Sequence, residues 1–155
     1  MSEPMIFPRL ADPKWNASFK SYADATEHAL NIVALHLREE NPDDIEHCMS
    51  YYTDDVIWEI PGRGIQYVGK QSVKENYLRL FQSAEGISFE PIERIGTPER
   101  VIDDMWVRFR LSGDGFKNAP VPIGTRVKMR LVHNFYIRDG LIAREIGYEM
   151  WLRDE

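Results

Sequence analysis

One histidine stands on a strand face that is otherwise apolar. From Arg126 to Ile137 polar and apolar residues alternate at period 2, so a single face carries Val127, Met129, Leu131, His133, Phe135 and Ile137. Beyond Arg138-Asp139-Gly140 a second strand, Leu141 to Trp151, runs back and adds two carboxylates, Glu145 and Glu149. An imidazole in an apolar hollow has its charged form disfavoured by desolvation, and a neighbouring carboxylate pushes the other way. Such a group serves as general acid or base near neutral pH. The plain alternative for His133 is a core histidine whose ring nitrogens are paired by neighbours. His36 is a second candidate, with the same alternative, because it falls near the inward stripe of an amphipathic helix.

Whether Glu145 meets His133 depends on the turn. A three-residue turn of Arg138-Asp139-Gly140 pairs Ile137 with Leu141 and sets Glu145 opposite His133. A two-residue Asp139-Gly140 turn pairs Arg138 with Leu141, brings Ile146 and Tyr148 beside the histidine and sends Glu145 outward. The apolar run Ile142, Ile146, Tyr148 and Met150 favours the second arrangement. The reading taken here places Glu145 inward.

The elements that position these residues follow from periodicity. Ser21 to Glu40 places Ala25, Ala29, Ile32, Val33, His36 and Leu37 at helical spacing, and Pro42 ends that helix. A shorter helix is predicted from Pro42 to Tyr51, with Ile45, Cys48 and Met49 inward. Tyr52 to Asp55 reads as a turn into a strand, Val56–Ile60, that puts Val56, Trp58 and Ile60 on one face. After the bend Pro61–Gly64 and a short strand ending near Val68, a third helix covers Gln71 to Ser83, with Val73, Tyr77, Leu80 and Phe81 at helical spacing. Two strands follow, 87–95 and 100–111. The second carries Met105, Val107, Phe109 and Leu111 on one face, and a glycine- and proline-rich loop, 112–124, is long enough to form a rim or lid. Helices first and antiparallel strands afterwards give an α+β layout with the helices on one face of a curved sheet.

A chain of 155 residues suits one domain, taken as 21–155 behind a proline-rich arm at 1–20. The net charge of −6 speaks against affinity for nucleic acid or anionic membranes, which requires basic clusters. The first 20 residues contain Pro4, Pro8 and Pro13 and no continuous apolar core, so neither a signal peptide nor a membrane span is expected. The single cysteine, Cys48, excludes an internal disulfide and permits a reducing compartment; the expected location is the cytoplasm. The histidines at 28, 36, 47 and 133 lack zinc-site spacing, and no cluster of carboxylates accompanies them in sequence, so no metal site is expected.

Three stretches carry a family likeness: Tyr51-Tyr-Thr-Asp-Asp-Val-Ile-Trp-Glu-Ile-Pro61, Val68-Gly-Lys-Gln-Ser-Val-Lys-Glu-Asn-Tyr77 and Tyr136-Ile-Arg-Asp-Gly-Leu-Ile142. Together the chain resembles the nuclear transport factor 2-like superfamily, in its SnoaL-like branch of polyketide cyclases and steroid delta-isomerases. The resemblance implies a cone-shaped, strongly curved, mostly antiparallel sheet, with three helices from the N-terminal half closing an apolar cavity, a cystatin-like α+β barrel. It also implies a homodimer formed through the outer sheet face, where Trp106 and Tyr136 lie among charged residues. The general-base Asp of the isomerases corresponds to Ile60, their oxyanion Asp to His133 and their helix-one Tyr to His36. The cyclase histidine corresponds to His133, but the catalytic Asp of the next strand falls at Gly147. The arginine and two aspartates of the epoxide hydrolases find no clear match, since Trp106 to Arg110 supplies arginines without the acid.

The expected function is therefore binding of a small, mostly apolar carbonyl or hydroxyl compound, with proton transfer in isomerisation, cyclisation or dehydration and no cofactor. His133 is the expected acid or base, Glu145 its partner and His36 a polarising donor. Trp58, Ile60, Tyr77, Phe109, Met129 and Tyr148 are the expected walls. The alternative is a non-catalytic ligand-binding or protein-assembly module of the same fold, favoured by the acids absent at positions 60 and 147.

Overall fold

The computed structural model describes residues 19–155, so nearly all of the arm expected over 1–20 lies outside the described residues. Helix α1 (Tyr22–Arg38) starts where the Ser21 hydroxyl accepts the Asp24 amide at 3.1 Å. Its inner stripe, Ala25, Ala29, Ile32, Val33 and His36, is buried. Helix α2 is Ile45–Ser50, shorter than the expected 42–51. The Asn41 side chain explains this: it accepts from the amides of Asp43 and Asp44, both at 3.1 Å, and holds that segment as a turn.

The sheet strands are β1 (Tyr52–Ile60), β2 (Ile65–Val68), β3 (Ala84–Thr97), β4 (Arg100–Leu111), β5 (Arg126–Arg138) and β6 (Leu141–Arg153). A single 3-10 turn, Pro61–Arg63, follows β1, and helix α3 (Lys70–Gln82) precedes β3. Strand β1 is longer than its expected span: Tyr52 already pairs with Ile142, and three extra residues bulge before Ile57 meets Arg144. That early start buries the Tyr52 side chain completely.

The strand order is β2-β1-β6-β5-β4-β3, antiparallel except for the parallel β1–β6 pair. The fold is thus α+β with a mixed sheet that curves without closing. The three helices cover its concave side, where one apolar cluster joins α1, α2, α3 and β1 and another joins β4 and β5. The chemistry lies between these two clusters.

The β5–β6 hairpin combines features of both expected registers. Asp139 (φ 51°) and Gly140 (φ 75°) form a two-residue turn with Arg138 paired to Leu141. Ala143 is then an extra residue: Ile137 pairs with Ile142, whereas Tyr136 pairs with Arg144. One bulged residue inverts the parity of everything beyond it. Glu145 therefore points inward despite the short turn, opposite Phe135, while His133 faces Gly147.

Candidate active site

His133 on β5 and Glu145 on β6 meet inside the cone, with Nε2 3.6 Å from Oε1. On its other side Nδ1 faces Oδ2 of Asp103, also 3.6 Å away. Those two facing atoms have no hydrogen-bond partner at shorter range. Asp103 is the β4 residue paired with His133, and its Oδ1 accepts from Arg94 Nε at 2.7 Å. Burial opposes charge on His133, but Asp103, and then the charges of Glu145 and Glu40, outweigh it and raise its pKa. Burial likewise pushes the carboxyls up, yet His133 and Arg94 hold Asp103 below its usual range, and His36, His133 and Tyr52 do the same for Glu145. The pair His133–Glu145 thus stands as an acid beside a base.

Behind Glu145 lies a buried polar network. Tyr52 donates a short hydrogen bond to Glu145 Oε2, and the Tyr77 hydroxyl lies 3.3 Å from Oε1 and 3.1 Å from the Tyr52 hydroxyl. Trp58 Nε1 donates to Tyr77 at 3.2 Å. Burial and then the charge of Glu145 raise both tyrosines well above the ordinary phenol range, so they remain donors. His36 is 0% exposed; its Nε2 is 3.1 Å from the Tyr52 hydroxyl and 3.4 Å from Glu145 Oε2, and its Nδ1 donates to the Cys48 carbonyl at 3.3 Å. Burial lowers the His36 pKa, but Cys48 and Glu145 outweigh it and the value is raised well above normal. Burial keeps Cys48 a thiol.

Glu40, four residues after His36 and just past the end of α1, brings a second carboxylate to 3.9 Å from His36 Nε2. Its burial, followed by repulsion from Glu145, pushes its pKa up to about 7. His36, Glu40 and Glu145 therefore form a cluster that the linear sequence does not announce, with ligand atoms within 4.8 Å of one another. The Tyr52 hydroxyl engages both His36 Nε2 and Glu145, so a cation there would first have to displace it. As arranged, the cluster is a proton-holding network.

The cavity in front of this network measures about 370 Å³. Of the expected residues, His133, Glu145, Trp58, Ile60, Tyr77, Phe109 and Met129 all line it. His36 does not: it reaches the site through Tyr52 and Glu145. Tyr148 does not line it either. It is 50% exposed on the outer face, because the bulge at Ala143 gives the inner face to positions 145, 147, 149 and 151.

Several site residues were not anticipated. Asp103 shares the parity of Met105, Val107, Phe109 and Leu111, so the period-2 pattern of β4 already placed it on the inner face. Glu40 carried the i,i+4 signal from His36. Arg63 and Glu149, an ion pair on the cavity wall, join segments 86 residues apart and left no local mark.

Residues 33–145 match the family model of the SnoaL-like domain. Among solved structures, a nuclear transport factor 2-like protein from Burkholderia xenovorans LB400 is 17% identical with a TM-score of 0.68, covering 81% of this chain and 91% of that one. An LEH-like epoxide hydrolase from M. tuberculosis is 16% identical with a TM-score of 0.63, covering 81% and 84%. SalBIII, an epoxide hydrolase/cyclase-like enzyme of pyran ring formation in the polyether salinomycin, is 17% identical with a TM-score of 0.62, covering 80% and 92%. At these identities the likeness is one of fold. No curated protein matches the sequence.

Proposed function

Since the chain belongs to the SnoaL-like domain family, we propose that its cavity binds a small, mostly apolar carbonyl or hydroxyl compound and moves a proton on it. The observation that carries this reading is the pair His133–Glu145 on the cavity wall, with opposite pKa displacements and atoms 3.6 Å apart. Groups whose environments drive their protonation states apart divide naturally into acid and base. Protonated His133 would donate to the substrate oxygen while Glu145 accepts a proton from carbon or from a hydroxyl. Asp103 acts as a positioning residue by fixing the His133 ring, and His36 does the same for Glu145 through Tyr52. The apolar walls exclude water and so strengthen the few polar contacts that meet charge as it develops. Isomerisation, dehydration and ring closure all use this division of labour; the last is the reaction type named for SalBIII.

The test is to extract and identify small molecules that copurify with the protein, then to assay their conversion by the wild type, His133→Ala and Glu145→Gln. Turnover unchanged by His133→Ala would remove its assigned role. The non-catalytic reading draws on Ile60 and Gly147, which leave two inner positions without the acids of the enzymes they resemble. A ligand retained without turnover would favour it.

We also propose a homodimer formed through the outer sheet face, where Tyr148, Met150 and Leu152 are exposed in a row along β6, and a cytoplasmic location. Among the described residues no helix is long and apolar enough to cross a membrane.

A further inference from the structure

The cavity has a second polar point, two residues further along β6 than Gly147, the partner of His133. Arg63, from the 3-10 turn, and Glu149, from β6, line the wall with side chains only 4% and 5% exposed. Arg63 Nε donates to Glu149 Oε2 at 2.8 Å and Nη2 to Oε1 at 3.1 Å, while Nη1 donates to the Lys117 carbonyl at 2.7 Å. Trp151 Nε1 adds a bond to Glu149 Oε2 at 2.7 Å. A guanidinium carries five N–H groups and a carboxylate about four acceptor positions. Two N–H groups of Arg63 and one acceptor position on Glu149 Oε1 are therefore left unspent among the described residues. Burying an ion pair in an apolar cavity is costly unless its remaining hydrogen-bonding capacity is used.

The surroundings define what would use it. Phe116 stacks on Phe109 with centroids 5.1 Å apart, meets Trp151 edge-on at 5.7 Å and lies 5.6 Å from the Arg63 guanidinium. These aromatic faces suit a flat ring. The paired charges narrow its substituent: a carboxylate would be repelled by Glu149, an ammonium by Arg63, and a ketone would use only the arginine. A hydroxyl both accepts from Arg63 and donates to Glu149.

We propose that Arg63 and Glu149 form a second binding point that takes the hydroxyl of a flat ring. Because Glu149 pairs with Leu131, two residues from His133 on β5, and lies four residues from Glu145 on β6, the two polar points are separated by about 7 to 13 Å at the usual strand rise. The cavity then selects a two-ended molecule, oxygen-bearing at both ends and apolar between. This rests on the ligand-binding reading above and names its substrate class.

Three probes test it: biphenyl, para-phenylphenol and the biphenyl hydroxylated at both para positions, with dissociation constants measured by calorimetry. In the wild type the dihydroxy probe should bind roughly tenfold tighter than the monohydroxy one, as expected for a hydrogen bond to a charged group. In Glu149→Gln that ratio should fall. In the double variant Arg63→Met/Glu149→Leu, which leaves no buried charge unpaired, it should approach one while biphenyl itself binds as before. Melting temperatures confirm that each variant is folded. Equal binding of the two phenols by the wild type would overturn the proposal, and so would parallel weakening of all three probes, the mark of a pair that only fastens the 112–124 loop. The proton-transfer reading fails separately, through turnover that survives His133→Ala.

Discussion

Ile60 fills the space into which a side chain at Gly147 would project: a Cβ at 147 would lie 2.4 Å from Ile60 Cδ1. These are the two positions at which the resembling isomerases and cyclases carry acids, and here they are one packing unit. Gly147→Ala should destabilise by about 1 kcal/mol, the low end for overpacking, because the atom that must yield is the tip of the Ile60 side chain. Adding Ile60→Val should recover part of that loss, and a double-mutant cycle in urea would measure the coupling. Additive effects would show that the two side chains do not compete for space.

Stability should decline as pH rises from mildly acid to neutral. Glu40 binds its proton more tightly in the folded state, at about 7 against an ordinary 4.5, so the stability it contributes is present below pH 4.5 and is lost as pH rises through 7. His36 and His133, both raised, act in the same direction: their contribution is complete below the ordinary histidine value and is lost as pH passes their folded values. Glu145 and Asp103, both lowered, contribute above the ordinary carboxylate values and lose that contribution in acid. Thermal melts between pH 5 and pH 8 should therefore fall, and Glu40→Gln should flatten the slope. A slope that Glu40→Gln leaves unchanged would contradict the assignment.

Asp103→Asn should lower the His133 pKa, since Asp103 is the largest influence raising it. Imidazole titration by NMR reads this without any substrate. Once a substrate is known, kcat should drop about 10- to 100-fold, the usual effect of losing a partner that orients a reacting group, with KM little changed. A His133 titration curve in the variant unchanged from that of the wild type would leave Asp103 a purely structural residue.

The outer face of β6 should make the dimer contact. Met150→Glu places a charge in the exposed row Tyr148, Met150 and Leu152 and should shift the protein to monomer in sedimentation velocity. A wild type that already sediments as a monomer would end that proposal.

Much of this arrangement is legible from periodicity. The alternation in β5 puts His133 inside, the same alternation in β4 puts Asp103 beside it, and the helical stripe of α1 turns His36 inward. These signals are local, because side-chain direction repeats every 2 residues in a strand and about every 3.6 in a helix.

The orientation of Glu145 was not legible in this way. Asp139-Gly140 marks a two-residue turn, which taken alone would send Glu145 outward. The bulge at Ala143 reverses that, and Glu145 is buried among Tyr52, Tyr77 and two histidines, contributed by four other elements. Arg63 and Glu149 meet because β1 runs parallel beside β6, with Glu59 paired to Ile146, and the 3-10 turn carries the chain on to the level of Glu149. The sequence by itself determined which faces are apolar and which polar residues break them. Only the tertiary structure decided which of those residues touch, because one inserted residue inverts a strand's parity and contacts between distant segments leave no period in the chain.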